Sequence, residues 1–227
     1  MSTPGPSAKS EKFVAEEFSR LLQKGRKHLV LEEVLHFQAK GATIPVDLCH
    51  LGILWVLDRD HDGKFTLEDF IALANMCRRR SRCYQSFEYS AQLSGFCSLQ
   101  LWHAMSRPNG QEAYVNWICA LLMENSHERR RFWRYGTQQY LHVDTIEALH
   151  HLLRVQDTLG VDFQGFFDLL QRVGEERRLM DLGDEEQDDW VPLGVVKDFA
   201  HASYRGAHRL MADICPVDEW LDVNDVP

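Results

Sequence analysis

Asp58-Arg59-Asp60-His61-Asp62-Gly63-Lys64-Phe65-Thr66-Leu67-Glu68-Asp69 sets carboxylates at alternate positions, then a glycine, an apolar residue two places on, and a carboxylate at the twelfth place. A hard divalent cation takes about six to eight oxygen ligands, and a short loop supplies them only by wrapping around the ion. In such a wrap Asp58, Asp60 and Asp62 bring side-chain oxygens. Gly63 permits a sharp reversal that a bulkier residue resists. Lys64 contributes its backbone carbonyl, Thr66 a hydroxyl or a bound water, and Asp69 the closing carboxylate.

The flanks agree with a helix on each side. Ile53, Leu54 and Leu57 share one helical face before the loop, and Phe70, Leu73, Ala74 and Cys77 repeat that spacing after it. Loop and flanks together resemble the EF-hand calcium loop. The resemblance covers residues 12–77 closely and residues 127–205 loosely. It implies cation-dependent control of partner binding, in which the ion reorients a helix pair and exposes an apolar groove. Here that groove would be lined by Phe13, Phe18, Leu54, Leu57, Phe70 and Leu73, and would accept an amphipathic helix. The closing position usually carries glutamate, which grips the ion with two oxygens; Asp69 is a methylene shorter. Calcium is therefore expected to bind more weakly than in a glutamate-closed loop, with magnesium as a competitor.

Helix–loop–helix units of this kind normally pair, because one alone cannot bury its apolar face. Leu29-Val30-Leu31-Glu32-Glu33-Val34 matches the pattern of Phe65-Thr66-Leu67-Glu68-Asp69-Phe70, 36 residues earlier. The preceding Gln23-Lys24-Gly25-Arg26-Lys27-His28 carries no carboxylate and is positively charged, so this first unit keeps the scaffold without the ion. The plan recurs more faintly later. Leu141-His142-Val143 and Val191-Pro192-Leu193 each read as a strand turning into a helix, and Leu159-Gly160-Val161-Asp162-Phe163 echoes Ile44-Pro45-Val46-Asp47-Leu48. The acidic stretch 174–190 reads as a solvated loop rather than a second metal site, since Val195 would stand where its cage must close.

The expected organisation is all-α: EF-hand-like helix–loop–helix pairs joined by a helical middle segment. Residues 1–10 form a disordered tail, 11–77 the first pair, 78–126 the helical bridge, 127–206 a degenerate pair with an acidic insertion, and 207–227 an acidic tail. Within the bridge, residues 87–105 and 113–123 are apolar at helical spacing around the turn at Pro108-Asn109-Gly110.

Composition narrows the function. A net charge of −9 argues against general nucleic-acid binding, and no apolar run approaches the roughly 20 residues that cross a bilayer. The arginine clusters 78–82 and 129–134 read as the wet sides of helices, or as attachments for an acidic partner surface. Six cysteines without a C-x-x-C spacing fit packing residues in a reducing cytoplasm. No phosphate-cradling glycine loop, H-E-x-x-H motif or nucleophile signature is present, so no enzyme is expected. The leading expectation is a calcium-binding adapter or sensor for a protein partner. Its rivals are a structural subunit of a cytoskeletal or ciliary assembly, with a site constantly filled or empty, and a zinc-dependent enzyme or binding module that would use Cys49 or Cys77.

Overall fold

Two helix–loop–helix units open the chain. α1 (Pro6–Leu21) leads through β1 (His28–Leu29) to α2 (Leu31–Leu35), and α3 (Leu51–Leu57) leads through β2 (Phe65–Thr66) to α4 (Leu67–Ser81). These elements belong to a computed structural model that describes residues 6–37, 51–81, 86–128, 132–135, 138–175 and 189–214. β1 and β2 pair antiparallel, with Leu29 opposite Phe65 and His28 opposite Thr66. Leu29 and Phe65 are fully buried, so the strand contact also joins the apolar faces of the two units. α1 packs on α4 through Val14 and Phe18, four residues apart on one face, with the Phe18 ring edge-on to Phe70 at 5.7 Å.

A helical hairpin follows, α5 (Ser86–Met105) and α6 (Gly110–Glu128). The remainder comprises β3 (Phe132–Tyr135), β4 (Gln138–His142), α7 (Val143–Leu152), α8 (Val155–Leu159), α9 (Phe163–Glu175), β5 (Trp190–Pro192) and α10 (Leu193–Ile214). β4 pairs antiparallel with β5, Leu141 opposite Val191, in a sheet of order β3-β4-β5. No described helix is long and apolar enough to cross a membrane.

Among the described residues the protein is therefore mostly helical, broadly as expected, with two small antiparallel sheets beside the helices. β3 is one strand that was not expected. Phe132, Trp133 and Tyr135 favour a pleated backbone, and β3 finds a partner in β4, so this part of the second arginine cluster is a strand rather than a helix. Arg129, Arg130, Arg131 and Arg82 lie outside the described residues, as does the acidic stretch 176–188. In the first cluster Arg78 lies on α4, half-buried, and donates a hydrogen bond to Asn75.

Element limits also depart from the expected boundaries. α1 begins inside the supposed N-terminal tail, because a proline suits the first helical turn, where its missing N–H has no intrahelical partner. α4 runs past residue 77 and α10 past residue 206.

The expected groove does not exist as an open surface. Phe18, Leu54, Leu57, Phe70 and Leu73 are buried in one core with Leu93, Cys97 and Leu101 of α5 and Trp117, Leu121 and Leu122 of α6. Phe13 faces outward at 47% exposure. The hairpin is thus a cover for this face, and the core it shares continues to Ile146, Leu149, Phe166 and Val196 of the C-terminal half. α3 and α5 approach so closely at Gly52 that an added Cβ would stand 2.5 Å from the Ser98 backbone nitrogen. An alanine in an ordinary helix interior stabilises by up to about 1 kcal/mol over glycine. At Gly52 the sign reverses: Gly52→Ala is expected to cost about 1–3 kcal/mol by forcing the two helices apart, measured by urea denaturation.

Candidate metal centre

The loop begins where α3 ends. Asp58 N donates to Leu54 O at 2.9 Å as the last helical turn closes, and the chain then reverses through His61 (φ 57°) and Gly63 (φ 82°). Both lie in the left-handed region, which glycine enters freely and histidine at a cost. Gly63 is needed for a second reason as well. A Cβ there would stand 2.5 Å from the carbonyl carbon and oxygen of Ala120, so the loop lies directly on α6.

Asp58 is wholly buried. Its Oδ2 accepts two hydrogen bonds, from Gly63 N at 3.0 Å and from the Trp117 indole Nε1 at 3.0 Å. Its Oδ1 is buried with no hydrogen-bond partner among the described residues. One carboxylate oxygen from each of Asp58, Asp60 and Asp62 lies within 4.8 Å of the others. Asp62 Oδ1 accepts from Lys64 N at 2.9 Å, and its Oδ2 meets Lys64 Nζ at 3.1 Å. That ammonium also stands 3.4 Å from Glu124 Oε1 on α6. Three of the five expected ligand residues thus converge. Lys64, expected to act through its carbonyl, brings its charge to the rim as well.

Asp69 is placed otherwise. Its Oδ2 accepts from Thr66 N at 2.9 Å and from Thr66 Oγ1 at 2.6 Å, while Asp69 N donates back to Thr66 Oγ1 at 3.4 Å. This reciprocal arrangement satisfies the free N–H groups at the start of α4. Asp69 does not belong to the converging group. Among the described residues no histidine or cysteine joins that group either, and Cys77, Cys97 and Cys119 are buried. Cys49 lies outside the described residues.

The first loop meets the same geometric problem with a different charge. In the register set by Leu29 and Phe65, Glu33 stands where Asp69 does and Arg26 where Asp62 does. Arg26 and Glu33 form a nearly buried ion pair, and Glu33 Oε2 also accepts from Val30 N at 3.1 Å. The guanidinium brings a cation to that loop from the chain itself. The second loop has a surplus of carboxylates, one of them buried.

Trp117 and Glu124 were not foreseen as parts of the site, since Trp117 lies 59 residues from Asp58. The one available signal was that a buried indole N–H needs an acceptor. Around them His61 stacks on Trp55 at 3.6 Å, and Trp55 meets Trp117 edge-on at 5.0 Å. Burial lowers the His61 pKa below its ordinary value.

Burial is the main influence on the Asp58 carboxyl, which it raises; the Gly63 and Trp117 hydrogen bonds pull it back, and the charges of Asp62 and Asp60 push it up, to about 7 overall. The folded state therefore holds this proton more tightly than the unfolded chain, where the ordinary value is near 3.8. The resulting stabilisation is complete below the unfolded value and is lost as pH rises through about 7. In chelator, the protein is expected to be more stable to urea at pH 5.5 than at pH 8, by up to about 2 kcal/mol. Asp58→Asn, which imitates the protonated form, should flatten that slope. An unchanged slope would place its origin elsewhere.

Against this geometry, no family model, no curated protein and no solved structure matches the chain.

Proposed function

We propose that this chain binds one divalent cation, calcium or magnesium, at Asp58, Asp60 and Asp62, on an EF-hand-like pair of helix–loop–helix units, and that it acts without catalysis as a cation-responsive adapter. The observation that carries this is the fully buried Asp58 carboxylate, whose Oδ1 has no hydrogen-bond partner among the described residues while its neighbours converge on it. Buried carboxylates are ordinarily paired, bonded or bound to a metal. The antiparallel contact of the two loops supports the pair, and the sensor-type loop supports a regulatory role. Buried cysteines among the described residues fit a reducing compartment such as the cytoplasm.

One observation favours the structural rival. The apolar face that a sensor would offer to a partner helix is already occupied by the chain's own α5 and α6. A protein of that kind serves as a fixed subunit, with the site filled by magnesium or calcium throughout. A partner, such as one with an acidic surface, would then dock elsewhere on the chain.

Calorimetry separates the two. The adapter predicts one calcium per chain with Kd at or above about 10⁻⁶ M, still measurable in millimolar magnesium. The structural subunit predicts saturation by magnesium alone with no further heat from calcium. Asp58→Ala is expected to abolish binding in either case, and absence of heat with both metals in the wild type would end the proposal. Asp69→Glu, with a methylene more of reach past Thr66, is expected to tighten calcium binding several-fold.

A further inference from the structure

We infer that α6 is a working part of the cation site, and that ion loading and α6 docking reinforce each other, so that the ion closes the protein instead of opening a groove. This clamp presupposes the cation-binding site proposed above.

One face of α6 touches the loops at successive turns. Trp117 donates to Asp58 Oδ2, Ala120 and Leu121 lie against Gly63, and Glu124 meets Lys64 at 3.4 Å and stands 3.8 Å from His28 Nε2. The spacing of three and four residues is that of a single helical stripe. Asn125 adds an anchor on the first unit, its Oδ1 accepting from Glu32 N at 3.2 Å. The same helix reaches the C-terminal half, where Ser126 Oγ donates to Thr145 Oγ1 at 2.9 Å and Tyr114 lies edge-on to Tyr204 of α10.

The docked helix excludes water from Asp58 and leaves Oδ1 without a partner. An ion bound there answers the cost of holding a carboxylate under an apolar helix. Conversely, water exclusion strengthens the attraction between ion and carboxylate. Glu124 leaves the Lys64 ammonium with a counter-charge when Asp62 turns to the ion. Coupling of this kind is reciprocal: the factor by which docking raises ion affinity is the factor by which the ion favours docking.

Hydrogen exchange of the full chain, in chelator and then in saturating calcium chloride or magnesium chloride, tests the clamp. The expected result is about tenfold slower exchange across α6 with the ion, and no rise in apolar-dye fluorescence. Leu121→Ala, which loosens α6 without removing a ligand, is expected to weaken calcium binding by about the same factor. Should that variant not fold, the wild-type comparison decides alone. Calcium heat in calorimetry, accompanied by unchanged or faster α6 exchange, would overturn the clamp and leave the cation site standing. No heat with either metal would remove the site, and the clamp with it.

Discussion

A single carboxylate ties the second loop to the rest of the molecule. Asp58 Oδ2 receives the Gly63 amide, which holds the loop in its reversal, and the Trp117 indole, which holds the loop to α6. The two bonds depend on each other. Without the left-handed Gly63 the amide would not turn inward, and a side chain at that position would drive α6 away from the indole's acceptor. Local backbone conformation and long-range packing therefore meet on one atom. The other oxygen of the same group lacks a partner, which makes the junction a high-cost point in a low-dielectric setting.

The two loops of the N-terminal half can be understood as two answers to one electrostatic constraint. Each turns through a positive-φ glycine, Gly25 or Gly63, into a short strand and then a helix that carries an acidic residue in its first turn. In the first loop that residue, Glu33, is neutralised by Arg26 within the chain. A guanidinium fixed by covalent connectivity cannot dissociate as a bound ion does. In the second, Asp69 turns to Thr66, Asp62 meets the Lys64 ammonium, and Asp58 accepts hydrogen bonds from Gly63 and Trp117. One loop thus works as a permanent hinge pin, while under the proposed function the other is conditional.

Much of the helical plan was legible because it rests on short-range chemistry. The spacing of Leu54, Leu57, Phe70 and Leu73 marks two helices, and Leu29 and Phe65 sit at matching places because β1 and β2 need an apolar residue there. Leu141 and Val191 could be found for the same reason. Which surface covers which was not legible. Leu93, Leu101 and Leu121 have the composition of any helical core stripe, and nothing in their spacing says which elements α5 and α6 cover. Asp69 was ambiguous for a related reason: an acidic residue three places after a threonine serves a helix start as readily as an ion, and here it bonds Thr66. β3 was hidden by Arg134 and the arginines that precede it in sequence, whose charge suggests a wet helix while the interleaved aromatics suit strand pairing.

The covered groove changes what a bound ion could accomplish. Opening the pair would require undocking α5 and α6, and with them the buried side chains of Trp117, Leu121 and Leu122. Burying each such side chain is worth about 1.5–3 kcal/mol. An ion shifts an equilibrium only by the difference between its affinities for the two states. To expose that much apolar surface, it would have to prefer the open loop by several powers of ten. Yet the open loop returns Asp58 to water, where its attraction for the ion is weaker. The preference runs the other way, toward the covered state. An ion-responsive role for this chain is therefore more consistent with a change in the rigidity of α6, felt at Thr145 and Tyr204 in the C-terminal half, than with the unveiling of a new surface beside the loop.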